Sequence, residues 1–421
     1  MRNPREVIIV GAGIGGLTLA LALNKAGVPF RIYEAASELK PLGVGLNLLP
    51  HAMRELADLG LQPALVANGV ATREYCFYTR HGQLVYREPR GRFAGYDWPQ
   101  ISIHRGNLHG ALLEAVRQRI GSQAVVLGHR CVGVEQDAEG ATVHFMDALS
   151  GQPLPSASGA IAIACDGVHS VARAQMHANG AVPRYEGTTQ YRGTTRWKPF
   201  LTGTSMAYVG TYETGKLIIY PIRHDVDADG RQLINWVIEV SRPNNLLLRD
   251  WNRKSRVEEF IGHFEDCRFD WLDIPAVLRA ADAVYEYPMM DQEPLPFWTA
   301  GRITLLGDAA HPMMPRGSNG AAQAIIDATT LAKLLAGAAS MAEALKAYEA
   351  ARLQATAGVV LANRAIAPDA ILRVIEERTG GRRFERIDEV ITQDELAEWQ
   401  ERYRKVAGFA ADDLRQFEAI A

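Results

Sequence analysis

Apolar and polar residues change period several times along the chain, and the changes divide it. The opening run EVIIV (6–10) is continuously apolar, as a strand buried on both faces requires. IGGLTLALALNKAG (14–27) then carries a helical pattern ending on glycine, and FRIYEA (30–35) returns to strand, so the first unit is β-α-β. NLHGALLEAVRQRI (107–120) has apolar residues three and four apart and predicts a second helix. AVVLGHRCVGVEQ and ATVHFMD alternate like paired strands before AIAIACDG (160–167) supplies another buried one. From about 182 to 290, TTQYRGTTRW, SMAYVGTYE, KLIIYPI and QLINWVIEV predict a mostly antiparallel sheet with one face covered. RITLLGD (302–308) restores the buried parallel style, and helical patterns fill 319–421.

At 421 residues the chain exceeds the size at which a single core keeps growing, so two or more domains are expected. Its 48% hydrophobic and 22% charged residues and net charge of -3 describe an ordinary globular protein and give no reason to expect nucleic acid or an anionic membrane as partner. The arginine clusters REPRGR (87–92) and GGRRFER (380–386) have acidic neighbours and read as solvated surface. Cys76, Cys131, Cys165 and Cys267 lie far apart with no CxxC pair, which favours reduced thiols, no metal site and a cytoplasmic location. No export leader and no membrane-spanning apolar run are visible.

The first chemical signal is Gly11, Gly13 and Gly16, a G-x-G-x-x-G that follows a strand and opens a helix. Glycine lets the backbone turn tightly against a pyrophosphate, and the helix beginning at Ile14 and Gly15 offers N–H groups and a positive dipole end to it. Glu34, beside Ala35, closes the second strand roughly twenty residues later, where a carboxylate accepts hydrogen bonds from a ribose. A glycine turn without ligand is the plainer alternative, and the β-α-β context argues against it. This motif predicts a Rossmann-like dinucleotide domain without choosing between FAD and NAD.

The second signal is LLGDAAHPMMPRGSNGAAQAIIDA (305–328). Asp308 follows Gly307 at the carboxyl end of a strand, where open α/β sheets place ligand-binding groups, and its carboxylate suits polyol hydroxyls. Gly317 and Ser318 then lead into a helix whose free N–H groups fall at Asn319, Gly320 and Ala321, suited to partial negative charge. A flavin has both needs, in its ribityl chain and in the pyrimidine edge of its reduced ring.

Three separated motifs, GAGIGG with Glu34, CDGVHSVAR (165–173) and GDAAHPMMP (307–315), together resemble the single-component FAD-dependent aromatic hydroxylases of the p-hydroxybenzoate hydroxylase type. The similarity runs through about residue 365, and PLGVGLN, SIHRG, INW and GRITLLGDAAH resemble most closely the phenazine monooxygenase branch, with salicylate hydroxylase and 6-hydroxynicotinate monooxygenase as neighbours. The implied fold is α/β (α+β). It has a discontinuous Rossmann-like FAD-binding domain (1–70, 100–181, 285–370), an inserted mixed, mostly antiparallel substrate sheet (71–99, 182–284) and a helical C-terminal tail (371–421).

The resemblance implies FAD as cofactor, with NAD(P)H as transient co-substrate and O2. Asp308 would bind the ribityl chain, and Asp166 with Gly167 would support the pyrophosphate region. Arg105 would reach the phosphate side through paired hydrogen bonds. Gly43, Val44 and Gly45 would form the loop beside the flavin ring, Val132 would meet the adenine through its backbone, and Pro315 would shape the oxygen-reaction side. Plainer roles stand beside these: Arg105 as a helix cap, Asp166 as an Asx turn, Arg173 as an ion-pair residue. His311 reads equally as a catalytic base or a packing histidine, and His51 is a candidate on the cofactor side.

The implied reaction passes through a flavin C4a-hydroperoxide that gives one oxygen atom to an aromatic or N-heteroaromatic ring, hydroxylated or carboxylated. The protein then chiefly positions substrate, stabilises charge and excludes water, consistent with a chain without a triad or metal box. Tyr191, Arg192, Tyr208, Tyr220 and Trp236 are the substrate candidates from the inserted sheet, of which alternation lets only some face a ligand. Competing readings are a flavin halogenase, whose W-x-W-x-I-P signature is missing, an NAD-dependent dehydrogenase, and a non-catalytic flavin-binding protein. The expected partner is a small aromatic molecule, and the chain is expected to be a monomer or homodimer. The charged segment FERIDEVITQDELAEWQERYRKV reads either as an amphipathic helix docking on the body or a second subunit, or as a solvated terminal helix.

Overall fold

The structure, a computed structural model, describes residues 5–40, 43–177, 183–242, 253–365 and 370–399. Val7–Val10 lies inside a six-stranded sheet, paired in parallel with Phe30–Tyr33 on one side and Ile161–Ala164 on the other. Val125–Val126 extends the first side, and Ile303–Leu305 with antiparallel Thr299–Ala300 extends the second. Every residue of Val7–Val10 and Ile161–Ala164 is buried, which explains their unbroken apolar runs. The helices Ile14–Lys25 and Asn319–Gly337 pack together beside this sheet, and Leu17, Leu19, Ile325 and Leu331 join its core. Burial of each such side chain stabilises by about 1.5–3 kcal/mol.

This strand order has one functional consequence. Val7–Val10, Ile161–Ala164 and Ile303–Leu305 are neighbours running in one direction, so the loops that follow them (from Gly11, Cys165 and Leu306) leave the same edge of the sheet. Three motifs far apart in sequence therefore meet in space.

The second large sheet has eight strands, in the order Arg253–Ser255, Val284–Asp291, Arg184–Trp197, Gln232–Ser241, Lys216–Arg223, Ser205–Val209, Glu74–Tyr78 and Leu84–Pro89. Only the Ser205–Val209 and Glu74–Tyr78 pair is parallel. One face buries Tyr191, Ile219 and Trp236 against Phe260, Phe264 and Val277. The other face is turned towards the nucleotide motifs.

Two surface expectations are resolved. REPRGR is not wholly solvated: Glu88 and Arg90 are buried, paired at 2.6 Å, with the guanidinium 3.8 Å from the Tyr75 ring centre. A buried cation needs both the carboxylate and the π-face to offset its lost hydration. In the tail, Ala370–Thr379 and the helix at 393–399 dock on the same chain, where Ile371, Leu372, Ile375, Ile391 and Leu396 cluster with Phe77, Met206 and Tyr208. Residues 400–421 lie outside the described residues. Among the described residues no helix is long and apolar enough to cross a membrane, and all four cysteines are free.

Candidate active site

The glycines of the first motif differ in what surrounds them. Gly11 has φ +103°, and a Cβ there would stand 2.4 Å from the Cys165 carbonyl; one on Gly16 would stand 2.0 Å from the carbonyl of Gly11. These two let the turn close on itself and on the neighbouring strand. Gly13 is the opposite case, because a Cβ there meets nothing within 4 Å. It is the N-cap of Ile14–Lys25 and makes no side-chain cap, so the first-turn N–H groups are left for a ligand on that open side. The Glu34 carboxylate, next to Ala35, accepts from the amides of Ala12 at 2.7 Å and Ala36 at 2.8 Å, and so ties the glycine turn to the second strand.

A second helix N-terminus opens nearby. Ser318, at φ +60°, precedes Asn319–Gly337 and also provides no side-chain cap. Asn319 itself is fully buried. Gly317, Ser318, Gly320 and Ala321 line a cavity of about 380 Å³, together with Gly13, Ile14, Gly15, Gly167, Gly307, Asp308 and Pro315. This volume lies in the usual range for ligand sites, roughly 300–1,000 Å³. Two uncapped N-termini and one strand-end carboxylate thus share one chamber.

Arg105 also stands in the cavity wall. The cap of its helix, Arg105–Arg119, is His104, whose Nδ1 accepts from the Gly106 amide at 3.1 Å, so the capping role considered for Arg105 is filled by its neighbour. Gly43, at φ +108°, packs over the Arg105 side chain, and buried Val44 accepts the Arg105 amide at 2.9 Å. Gly45 reaches the cavity, its amide donating to Asn235 Oδ1 at 2.7 Å. Val132 is half-exposed at a bulge in His129–Gln136, where Cys131 and Gly133 pair with the next strand and it does not.

Three polar residues hold the loops rather than facing the chamber. Asp166 accepts the Val171 amide at 2.9 Å while its Oδ1 is buried without a partner; burial raises its pKa. Arg173, expected in an ion pair, instead donates to the main-chain carbonyls of Val168, Asp308 (3.0 Å) and Ala309 (3.1 Å), bolting the CDGVHSVAR loop to the GDAAH loop. Carbonyls facing inward need donors, and a buried guanidinium supplies several. His311, a candidate base, is buried with Nε2 2.5 Å from Asp327 Oδ2, away from the cavity walls.

Asp327 also accepts the Gly307 amide at 3.2 Å and Arg352 Nε at 2.8 Å. Burial alone would raise its pKa, but His311 and Arg352 outweigh that and lower it. His51, the other catalytic candidate, is buried in Pro50–Asp58 and does not line the cavity. Burial, with the Arg352 and Arg54 charges behind it, pushes its pKa down to about 3, so it is neutral at pH 7.

On the sheet side, Arg192, Tyr208 and Tyr220 line the chamber, but Tyr191 and Trp236 do not. Side chains alternate across a strand, and these two fall on the far face. Tyr191 lies 4.8 Å and Trp236 5.8 Å from the Phe260 ring, and the Trp236 indole donates to Thr195 Oγ1 at 3.0 Å. The wall also contains Gln190, Met206, Lys216, Ile218, Val237 and Glu239, which sequence reasoning missed. Counting by twos from Arg192, Tyr208 and Tyr220 reaches four of them, Gln190, Met206, Ile218 and Lys216; Val237 and Glu239 required the pairing of a further strand. Arg192 donates to the Gly45 carbonyl at 2.6 Å and stands 5.9 Å from the Tyr287 ring centre; among the described residues no carboxylate pairs with it.

The chamber fits FAD on its own terms. An open cradle at Gly13, donors at two helix ends and a carboxylate at a strand end match a pyrophosphate, an electron-accepting ring edge and a polyol.

Known proteins point the same way. A family profile described as FAD binding domain matches residues 5–194 and 287–363, over half the chain. The phenazine 1,6-dicarboxylic acid hydroxylase PhzS of Lysobacter antibioticus is 41% identical over 362 residues, covering 85% of this chain and 89% of that protein. A 3-amino-4-hydroxybenzoate 2-monooxygenase of Streptomyces platensis is 31% identical over 363 residues, covering 83% and 85%. The fold is that of Klebsiella pneumoniae HpxO solved with FAD and uric acid, with a TM-score of 0.73 at 24% identity, covering 98% of each chain.

Proposed function

Because this chain belongs to the single-component FAD-dependent aromatic hydroxylases, we propose a role for each wall of its cavity in a monooxygenase that consumes NAD(P)H and O2 and places one oxygen atom on an aromatic or N-heteroaromatic ring. The observation that carries the reading is the convergence of two uncapped helix N-termini and Asp308 on a chamber whose opposite wall presents Arg192. FAD, when bound, supplies the redox and oxygen chemistry; the protein binds, orients and excludes water.

On this reading the amides after Gly13 hold the pyrophosphate, Arg105 neutralises it, and Asp308 takes the ribityl hydroxyls. Glu34 with Ala35 faces the ribose, and the Val132 backbone, open at its bulge, meets the adenine. Amides from Gly317 to Ala321 face the pyrimidine edge, already oriented where negative charge develops, which is the cheapest way to stabilise it. Gly43 to Gly45 and Pro315 border the ring. Arg192 receives a substrate carboxylate, and Tyr208 and Tyr220 form an aromatic wall. Burial pushes the Tyr220 hydroxyl up to about 12, so it remains a proton donor across the working range.

The cofactor half comprises 1–70, 100–181 and 285–370, and the substrate half 71–99 and 182–284. The membership of Glu74–Tyr78 and Leu84–Pro89 in the eight-stranded sheet supports that division, whereas Val284–Asp291 pairs within the same sheet and moves the boundary at 285 to about 291. Free cysteines support a reducing, cytoplasmic setting, and the partner is a small molecule rather than nucleic acid. The test is to purify the chain, measure its FAD content, and follow NAD(P)H oxidation with phenazine-1,6-dicarboxylate, 6-hydroxynicotinate and 3-hydroxybenzoate. A product one oxygen heavier is expected from at least one ring. A colourless protein that FAD cannot reconstitute would overturn the reading.

A further inference from the structure

Side chains on the cavity side of the sheet stand in three rows. Gln190, Glu239 and Lys216 are register partners on three adjacent strands. Two residues along come Arg192, Val237 and Ile218, continued by Tyr208 on a fourth strand, and two further along come Thr194, Asn235 and Tyr220. The middle row is an apolar strip, Val237 and Ile218, with Arg192 at one end. Polar rails border it on both sides, about 13 Å apart at a rise of ~3.3 Å per residue. A flat ring system lying on that strip reaches the rails with its edge substituents.

The first rail is charged and dry. Lys216 Nζ lies 2.9 Å from Glu239 Oε2, both side chains at most 2% exposed, and Gln190 Nε2 donates to Glu239 Oε1 at 2.9 Å. Burial by itself would raise the Glu239 pKa, but Lys216 overrides it and holds the group below the ordinary carboxylate range. Such a pair is no better for folding than apolar residues of equal volume, because desolvation consumes its attraction. Glu239 lines the cavity, and each of its carboxylate oxygens has one donor beside it, Lys216 Nζ or Gln190 Nε2. A carboxylate oxygen accepts more than one hydrogen bond, so Glu239 keeps acceptor capacity for a further donor.

We propose that Glu239, flanked by Lys216 and Gln190, is a specificity residue: it accepts a hydrogen bond from a hydroxyl or ring N–H on the edge of a planar aromatic acid whose carboxylate lies at Arg192. This rests on the hydroxylase reading and adds the substituent that the site requires. A carboxylate this acidic accepts the bond without taking the proton.

The test uses the FAD-loaded protein and matched rings, 6-hydroxynicotinate against nicotinate and 3-hydroxybenzoate against benzoate, read as perturbation of the flavin absorbance. Wild type binds the hydroxylated member of at least one pair about tenfold tighter or more, and Glu239→Gln reduces that preference below about threefold at unchanged FAD content. Should Glu239→Gln fail to fold, the double variant Glu239→Met/Lys216→Met removes both charges together and shows the same loss. Equal affinities within both pairs in wild type, or a preference that survives the substitutions, overturns the proposal and leaves the hydroxylase reading intact. A preference that vanishes in the variants while no ring yields an oxygenated product supports the role of Glu239 and strikes the hydroxylase reading instead.

Discussion

Asp327 Oδ2 lies 2.5 Å from His311 Nε2 and 3.2 Å from the Gly307 amide, so one buried carboxylate holds both ends of the short loop that presents Asp308 to the cavity. Its other oxygen takes Arg352, which continues to Gln323. The geometry makes His311 a structural partner of Asp327, and the motif GDAAHP a loop fixed from behind.

Asp327→Asn therefore leaves Arg352 buried without its counter-charge. The expected loss is about 3–5 kcal/mol of stability, with weaker FAD retention. Since the folded-state pKa of Asp327 is depressed, its contribution is present above the unfolded carboxylate value and fades as pH falls through the folded one. Urea titrations of wild type and variant should converge in acid; parallel curves at every pH would contradict this.

His51 makes a separate acid-sensitive contribution. In the folded chain it stays neutral down to about 3, whereas the unfolded chain takes up the proton near 6.5. The unfolded state binds more protons across that window, so stability falls as pH drops from 6.5 towards 3, by roughly 5 kcal/mol at most. Above 6.5 both states are neutral and the effect is absent. His51→Gln should flatten this part of the stability curve without altering the pH dependence of turnover.

Two glycines of the first motif should separate folding from cofactor binding. Gly16→Ala drives a methyl group into the Gly11 carbonyl and should destabilise the FAD-free protein by about 1–3 kcal/mol or more. Gly13→Ala meets only open space, so the FAD-free protein should keep its Tm while its Kd for FAD rises about tenfold or more. Equal FAD affinity in Gly13→Ala and wild type would remove the cradle from this turn.

The two faces of the large sheet give a second contrast. Arg192→Ala should raise KM for carboxylated rings about tenfold or more while FAD stays bound, as expected for loss of a charge-assisted hydrogen bond. Trp236→Phe should cost about 1–3 kcal/mol of stability and leave KM unchanged, since the indole packs on Phe260 and bonds Thr195 on the far face. Steady-state kinetics beside thermal denaturation separates the two.

The cofactor side of this molecule was legible because its signals are local. A glycine forced to positive φ at Gly11, and a carboxylate three residues past a strand end at Asp308, follow from backbone geometry within a few residues. The substrate wall depends on parity and on partners from other strands. Tyr191 and Arg192 are adjacent in sequence and therefore face opposite ways, and nothing within one strand says which way the cavity lies. Lys216 and Glu239 become a pair only through the register of neighbouring strands. Sequence leaves His311 open between base and packing residue because its partner, Asp327, sits on a helix that periodicity alone assigns to the core.

We propose that an oxygen atom passes from O2 to a ring in the chamber between the glycine cradle and the Arg192 face. The direct measurement is turnover under ¹⁸O2, with NAD(P)H and whichever ring most accelerates its oxidation, followed by mass analysis of the product. Incorporation of one ¹⁸O atom per product molecule is predicted. NAD(P)H oxidation that ends only in hydrogen peroxide, with the ring recovered unchanged for every compound that accelerates it, would contradict the account.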